Sequence, residues 1–156
     1  MDIERSDQKK IVLALDPAEH TGYCLIEITP EKNRIFEYGG IIVDTSAEFQ
    51  GDHCHDLTRK LIKLIRKYNV TEVAVEDYFF SNKTRQGSNI NAAYRTAIHM
   101  MCRSKKINIP YTILNISGWK TYIAGSSRPT KEQKKKWGKD HAKKLYIQEA
   151  LFLRRG

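Results

Sequence analysis

The chain is poor in cysteine, poor in acids relative to bases, and lacks any long apolar run. Its three cysteines, Cys24, Cys54 and Cys102, are sparse and widely spaced. An odd, sparse count argues against a disulfide framework and points to a reducing, intracellular compartment. No apolar stretch approaches the roughly 20 residues of a membrane helix, so no membrane partner is expected. No signal peptide is read before the first strand. The 18 acids face 27 Lys and Arg, a formal net charge of +9. Such a balance favours nucleic acid or an anionic surface as partner. The bland alternative is a merely soluble basic protein. At 156 residues the length fits one domain with a core of its own. Residues 1–10 are polar and read as a flexible lead-in, with residues 11–156 as the single domain.

Against this basic background, two apolar runs stop on an acid. Ile11-Val-Leu-Ala-Leu ends at Asp16, and Val73-Ala-Val ends at Glu76-Asp77. A carboxylate at the edge of a core is costly unless it is paired or bound to a cation. Hard oxygen donors of this kind suit Mg²⁺. The pattern therefore favours a shared divalent-metal site at Asp16 and Glu76. The alternative is two acids that cap turns or pair with lysine. Asp77 is a substitute candidate for Glu76, because neighbours on a strand point to opposite faces. The turn Asp16-Pro-Ala-Glu-His-Thr-Gly22 also has a weaker reading as a phosphate cradle of the actin-like or sugar-kinase type. That reading rests on one glycine, and those folds need two lobes.

The wider pattern is strands first, then strands alternating with helices. Residues 11–15, 23–28 and 34–43 read as a three-stranded meander, with Pro17 and Gly22 in the first turn. Residues 53–68 repeat Leu57, Leu61, Leu64, Ile65 and Tyr68 at helical spacing. Residues 70–76 and 110–114 read as the fourth and fifth strands, and 78–88 as a loop. Residues 89–103 read as a helix with Ile90, Ala93, Ala97 and Met101 inward, and 117–124 as a short helix. Thr130-Lys-Glu-Gln133 is a capping box that opens a last helix. Its inner stripe is Trp137, His141, Leu145, Gln148 and Phe152. The sum is an α/β domain with a mixed five-stranded sheet flanked by helices.

Several segments suit a polyanion. The 78–88 loop sets Tyr78, Phe79 and Phe80 beside Lys83 and Arg85, a mixture suited to base stacking next to phosphate. The alternative is that the aromatics continue the strand into the core. Lys131, Lys134, Lys135, Lys136, Lys139, Lys143 and Lys144 share one helix, and with Lys120 and Arg128 they favour phosphate tracking over a plain solvated face. His53-Cys54-His55 resembles a metal motif, but adjacent and i+2 positions do not converge on a helix face.

In their order and spacing these motifs resemble the RuvC-type Holliday-junction resolvases. The segment Leu13-Ala-Leu-Asp16-Pro-Ala-Glu-His-Thr-Gly-Tyr23 is similar to the family's first strand and turn. Val75-Glu76 followed by Phe79 resembles its second acidic motif and aromatic wedge, and residues 89–103 the helix that follows. Ser117-Gly-Trp-Lys120 resembles its serine-then-lysine segment, and Gly138-Lys139-Asp140 its basic region before the final acids. The resemblance runs over residues 11–152. It implies an RNase H-like fold, a homodimer, and paired metal-dependent nicks across branched, four-way DNA. By resemblance Asp16 and Glu76 hold Mg²⁺, Phe79 is the wedge and Lys120 contacts phosphate.

One feature departs from the family, which closes its site with further acids on the last helix. After the fifth strand this chain has only Glu132, Asp140 and Glu149. Either Asp140 serves as an imperfect third ligand, or the chain is shortened at its C-terminus and the site incomplete. With two secure carboxylates, a second cation binds weakly. The expectation is slow cleavage that demands high Mg²⁺ and improves with Mn²⁺, or a junction-binding protein with little cleavage.

Overall fold

A computed structural model describes residues 9–77 and 85–114, with the backbone alone at 85–88. Three strands come first: β1 (Lys10–Asp16), β2 (His20–Ile28) and β3 (Asn33–Ile42). Helix α1 (Gln50–Tyr68), β4 (Glu72–Glu76), helix α2 (Arg85–Arg103) and β5 (Tyr111–Leu114) follow. They build a five-stranded sheet in the order β3-β2-β1-β4-β5. The meander β1-β2-β3 is antiparallel, whereas β4 and β5 add parallel to β1. β1 and β4 are central and apolar, as strands covered on both faces require.

Pleating divides the sheet into two faces. Ile11, Leu13, Leu15, Leu25, Val73 and Val75 pack with Leu57, Leu61 and Ile65 of α1 and Tyr94, Ile98 and Cys102 of α2. Val12, Ala14, Cys24, Ile26, Ile28, Ala74 and Leu114 form a second cluster on the opposite face. Glycine matters at one packing position. A Cβ on Gly39 would come within 3.0 Å of the Tyr23 hydroxyl and 3.1 Å of its ring, so any larger residue makes that ring shift by a few tenths of an ångström.

Helix α1 begins at Gln50, three residues before the expected start, with the Asp52 N–H donating to the Phe49 carbonyl. It ends at Tyr68; the cap Asn69 has a left-handed φ of 52°, which turns the chain so that the Val70 N–H donates to the Ile65 carbonyl at 3.0 Å. Helix α2 begins at Arg85, inside the segment read as loop. Its buried stripe is Tyr94, Ile98, Met101 and Cys102, one position on from the expected Ala93 and Ala97. The larger side chains win the core because they bury more apolar surface. Gly22 is also reassigned. It lies within β2, opposite Asp16, and the turn occupies residues 17–19.

Candidate active site

Asp16 is the last residue of β1, and Glu76 the last of β4. The two strands are parallel neighbours, and Leu15 pairs with Val75. The next residue on each strand is the acid. Both acids therefore leave the sheet on the same face, the one that carries Ala14 and Ala74. Asp16 is exposed, whereas Glu76 retains 8% of its accessible surface. One carboxylate thus faces solvent beside another lodged at the edge of the core.

The turn after Asp16 is fixed by a single hydroxyl. Thr21 is fully buried, and its Oγ1 donates to the Ala18 carbonyl at 2.6 Å. The same oxygen accepts the Ala18 N–H at 3.2 Å. A second tie runs from the Val43 N–H to the Glu19 carbonyl at 2.8 Å. These bonds close the turn in the way threonine does in short loops and hold the end of β1 in place.

Asp77, the substitute for Glu76, faces the other way. Its carboxylate forms an ion pair with Arg95 on α2, the helix that covers the opposite face. Of the adjacent pair, Glu76 is the acid that shares a face with Asp16. Hard oxygens from Asp16 and Glu76 are the donor type that Mg²⁺ and Mn²⁺ favour, so the residues present fit a divalent cation. Among the described residues no cluster of three or more His, Cys, Asp or Glu could hold a metal.

The other candidates separate clearly. His53 Nε2 lies 2.8 Å from the Ala47 carbonyl, Cys54 is half-buried and His55 is exposed, so this motif gathers no ligand set. Arg85 is the first residue of α2. Phe79, Phe80, Lys83, Lys120, Arg128, Lys134, Lys135, Lys139 and Asp140 lie outside the described residues. A cleft of about 520 Å³ lies at the far end of the sheet, beside Ile11 and Thr71 at the starts of β1 and β4. Two of its cations, Lys9 and Arg34, are held by Glu27. It is remote from the chemistry. The Asp77–Arg95 pair was missed because its partners are 18 residues apart and nothing local links them.

This strand order is that of the RNase H-like fold. The profile of the crossover junction endodeoxyribonuclease RuvC family matches residues 12–140, and the chain belongs to that family. A RuvC of Prochlorococcus marinus is 32% identical over 124 residues, covering 78% of this chain and 74% of the relative. One of Halothermothrix orenii is 30% identical over 125 residues, covering 79% and 73%. Among solved structures, T. thermophilus RuvC in complex with Holliday junction substrate superposes with a TM-score of 0.64. At 17% identity, over 80% of this chain and 74% of that one, it supports the fold.

Proposed function

We propose that this chain is an endonuclease that resolves four-way DNA junctions by paired, metal-dependent nicks, acting as a homodimer. The observation that carries the reading is the placement of Asp16 and Glu76 on one face, at the ends of adjacent parallel strands. Family membership supplies the reaction class.

Asp16 and Glu76 would hold a divalent cation, preferentially Mg²⁺ with Mn²⁺ as substitute. When bound, such a cation supplies charge neutralisation at the phosphodiester and activation of the attacking water. The protein's own part is geometric. Thr21 fixes the turn that follows Asp16. The β4–β5 ladder, with Glu76 paired to Leu114, fixes the second acid. The net charge of +9 attracts the DNA before any base is read. A homodimer places two such sites on one junction, which paired nicks require.

The second reading, a junction-binding protein with little cleavage, is favoured by the scarcity of acids after β5. One assay separates them: nicking of a four-way junction with Mg²⁺, with linear duplex as control. The resolvase reading expects symmetric nicks on the junction, none on the duplex, and none with Asp16→Asn, which still binds the junction. Binding without nicks at any Mg²⁺ or Mn²⁺ concentration assigns the second reading.

A further inference from the structure

Asp77 follows Glu76 and is held from two directions. Its N–H donates to the Leu114 carbonyl at 2.7 Å, which carries the β4–β5 ladder one step past Glu76. Its carboxylate is paired with the Arg95 guanidinium. Arg95 follows Tyr94 and precedes Ile98, both fully buried in the main core, so its helix is firmly seated. One turn on, His99 stacks flat on Tyr111, with ring centroids 4.6 Å apart and planes 6° apart. Tyr111 pairs with Val73 of β4. Burial pushes the Tyr111 phenol up, Arg95 pulls it down, and Cys102 and Asp77 add to the rise. Helix α2 is thus tied to the β4–β5 edge at successive turns.

We propose that Arg95 is a positioning residue for Glu76, acting through Asp77. The inference rests on the nuclease reading of Glu76. Adjacent residues of a strand share one peptide plane and point to opposite faces. Any rotation of the plane between Glu76 and Asp77 moves both side chains. β1 ends at Asp16, so beyond Glu76 it offers no further strand to stop that rotation. The Asp77 N–H bond to Leu114 restrains that plane from the β5 side, and the ion pair on the opposite face adds a second restraint through the Asp77 side chain. Arginine suits this task because its planar fork fixes direction as well as distance. The side chains of Arg95 and Asp77 are 21% and 44% exposed. A pair so open to solvent adds little to stability. Its value lies in orientation, and small displacements at a reacting centre cost as much as about 10²-fold in rate.

The test uses Asp77→Asn, Arg95→Gln, Arg95→Lys, the double variant Asp77→Asn/Arg95→Gln and the reversal Asp77→Arg/Arg95→Asp. Single-turnover junction cleavage, junction affinity, Mg²⁺ titration and thermal melting are measured on the full chain. Each neutral single variant is expected to cleave about 10- to 10²-fold more slowly and to need more Mg²⁺. Junction affinity and melting temperature stay close to those of the parent. The double variant is no worse than either single, because both remove one interaction. Arg95→Lys and the reversal recover part of the rate. Unchanged cleavage and Mg²⁺ dependence in both singles, or losses that multiply in the double, would overturn the proposal. Weakened junction binding by Arg95→Gln alone would make Arg95 a DNA contact instead. If the parent chain does not cleave junctions, the resolvase reading fails separately. The proposal is then judged on the Mg²⁺-induced rise in melting temperature, which Asp77→Asn should reduce and which, if unaltered, refutes it.

Discussion

Asp16 lies directly opposite Gly22 in the β1–β2 ladder, and a Cβ on Gly22 would stand 3.9 Å from the Asp16 Cβ. That separation is ordinary van der Waals contact, so the glycine is not required by packing. What it does is place no side chain of its own directly opposite Asp16. Substitution here should therefore separate fold from function. Gly22→Ala is expected to melt close to the parent and to lose cleavage modestly. Gly22→Val, with two methyl groups beside the carboxylate, should lose considerably more. Melting curves and single-turnover rates check this together, and a large fall in melting temperature for Gly22→Ala would mean that packing governs the position after all.

Thr21→Val offers a near-isosteric test of the turn. Valine fills the same volume but removes the oxygen that both donates to and accepts from Ala18. The Ala18 N–H then loses its partner, at a cost of about 1–3 kcal/mol. Stability should fall by that order, and cleavage per folded molecule should fall as well, because the turn carries Asp16. Thr21→Ser, which keeps the oxygen, should retain most of both. Loss of stability without loss of specific rate would show that the turn does not set the position of Asp16.

Far from the site, Asp56 stitches α1 to the segment after β3. It accepts the Asp44 N–H at 2.9 Å, the Lys60 ammonium at 2.6 Å and the Arg59 guanidinium at 2.8 Å. The Asp44 N–H, then Lys60 and Arg59, hold its carboxyl well below the usual carboxylate range. An acid depressed in the folded state stabilises fully above its unfolded pKa of about 3.9, and the gain is lost as pH falls toward the folded value. Melting temperature should therefore drop as pH falls below about 4. Asp56→Asn should flatten that drop and lower stability at neutral pH. An acid limb of unchanged steepness in Asp56→Asn would place the responsible group elsewhere.

The two acids of the proposed site could be picked out of the sequence for a simple reason. Each strand is a short apolar run bounded by an acid, so Asp16 and Glu76 stand out without knowledge of their neighbours. That they share a face needed the parallel register of β1 and β4, which depends on a crossover that no local pattern fixes. Gly22 was misplaced because glycine usually marks a turn, whereas here Thr21 closes the turn and glycine serves the strand. On α2 the expected Met101 is buried and Ile90 packs on the core, but the middle of the stripe falls on Tyr94 and Ile98 instead of the adjacent Ala93 and Ala97, since apolar residues stand side by side at both places. The Asp77–Arg95 pair was invisible because a long-range ion pair has no sequence period.

Two carboxylates on one face of adjacent strands repel each other, and a divalent cation relieves that repulsion. This gives a test of the metal site that does not depend on cleavage. In chelator, the melting temperature of Asp16→Asn relative to the parent gives the baseline from which the cation response is read. Added Mg²⁺ should raise the melting temperature of the parent, since a ligand that binds only the folded state stabilises it by RT ln(1 + [L]/Kd). The same titration should leave Asp16→Asn unmoved, and Glu76→Gln nearly so. Asp140→Asn extends the experiment to the candidate third ligand: a weakened Mg²⁺ response assigns it to the site, while a response equal to the parent's removes it. Mn²⁺ should act at lower concentration than Mg²⁺, because it tolerates a less regular set of oxygens. A parent protein whose melting temperature does not respond to either cation would remove Asp16 and Glu76 as metal ligands.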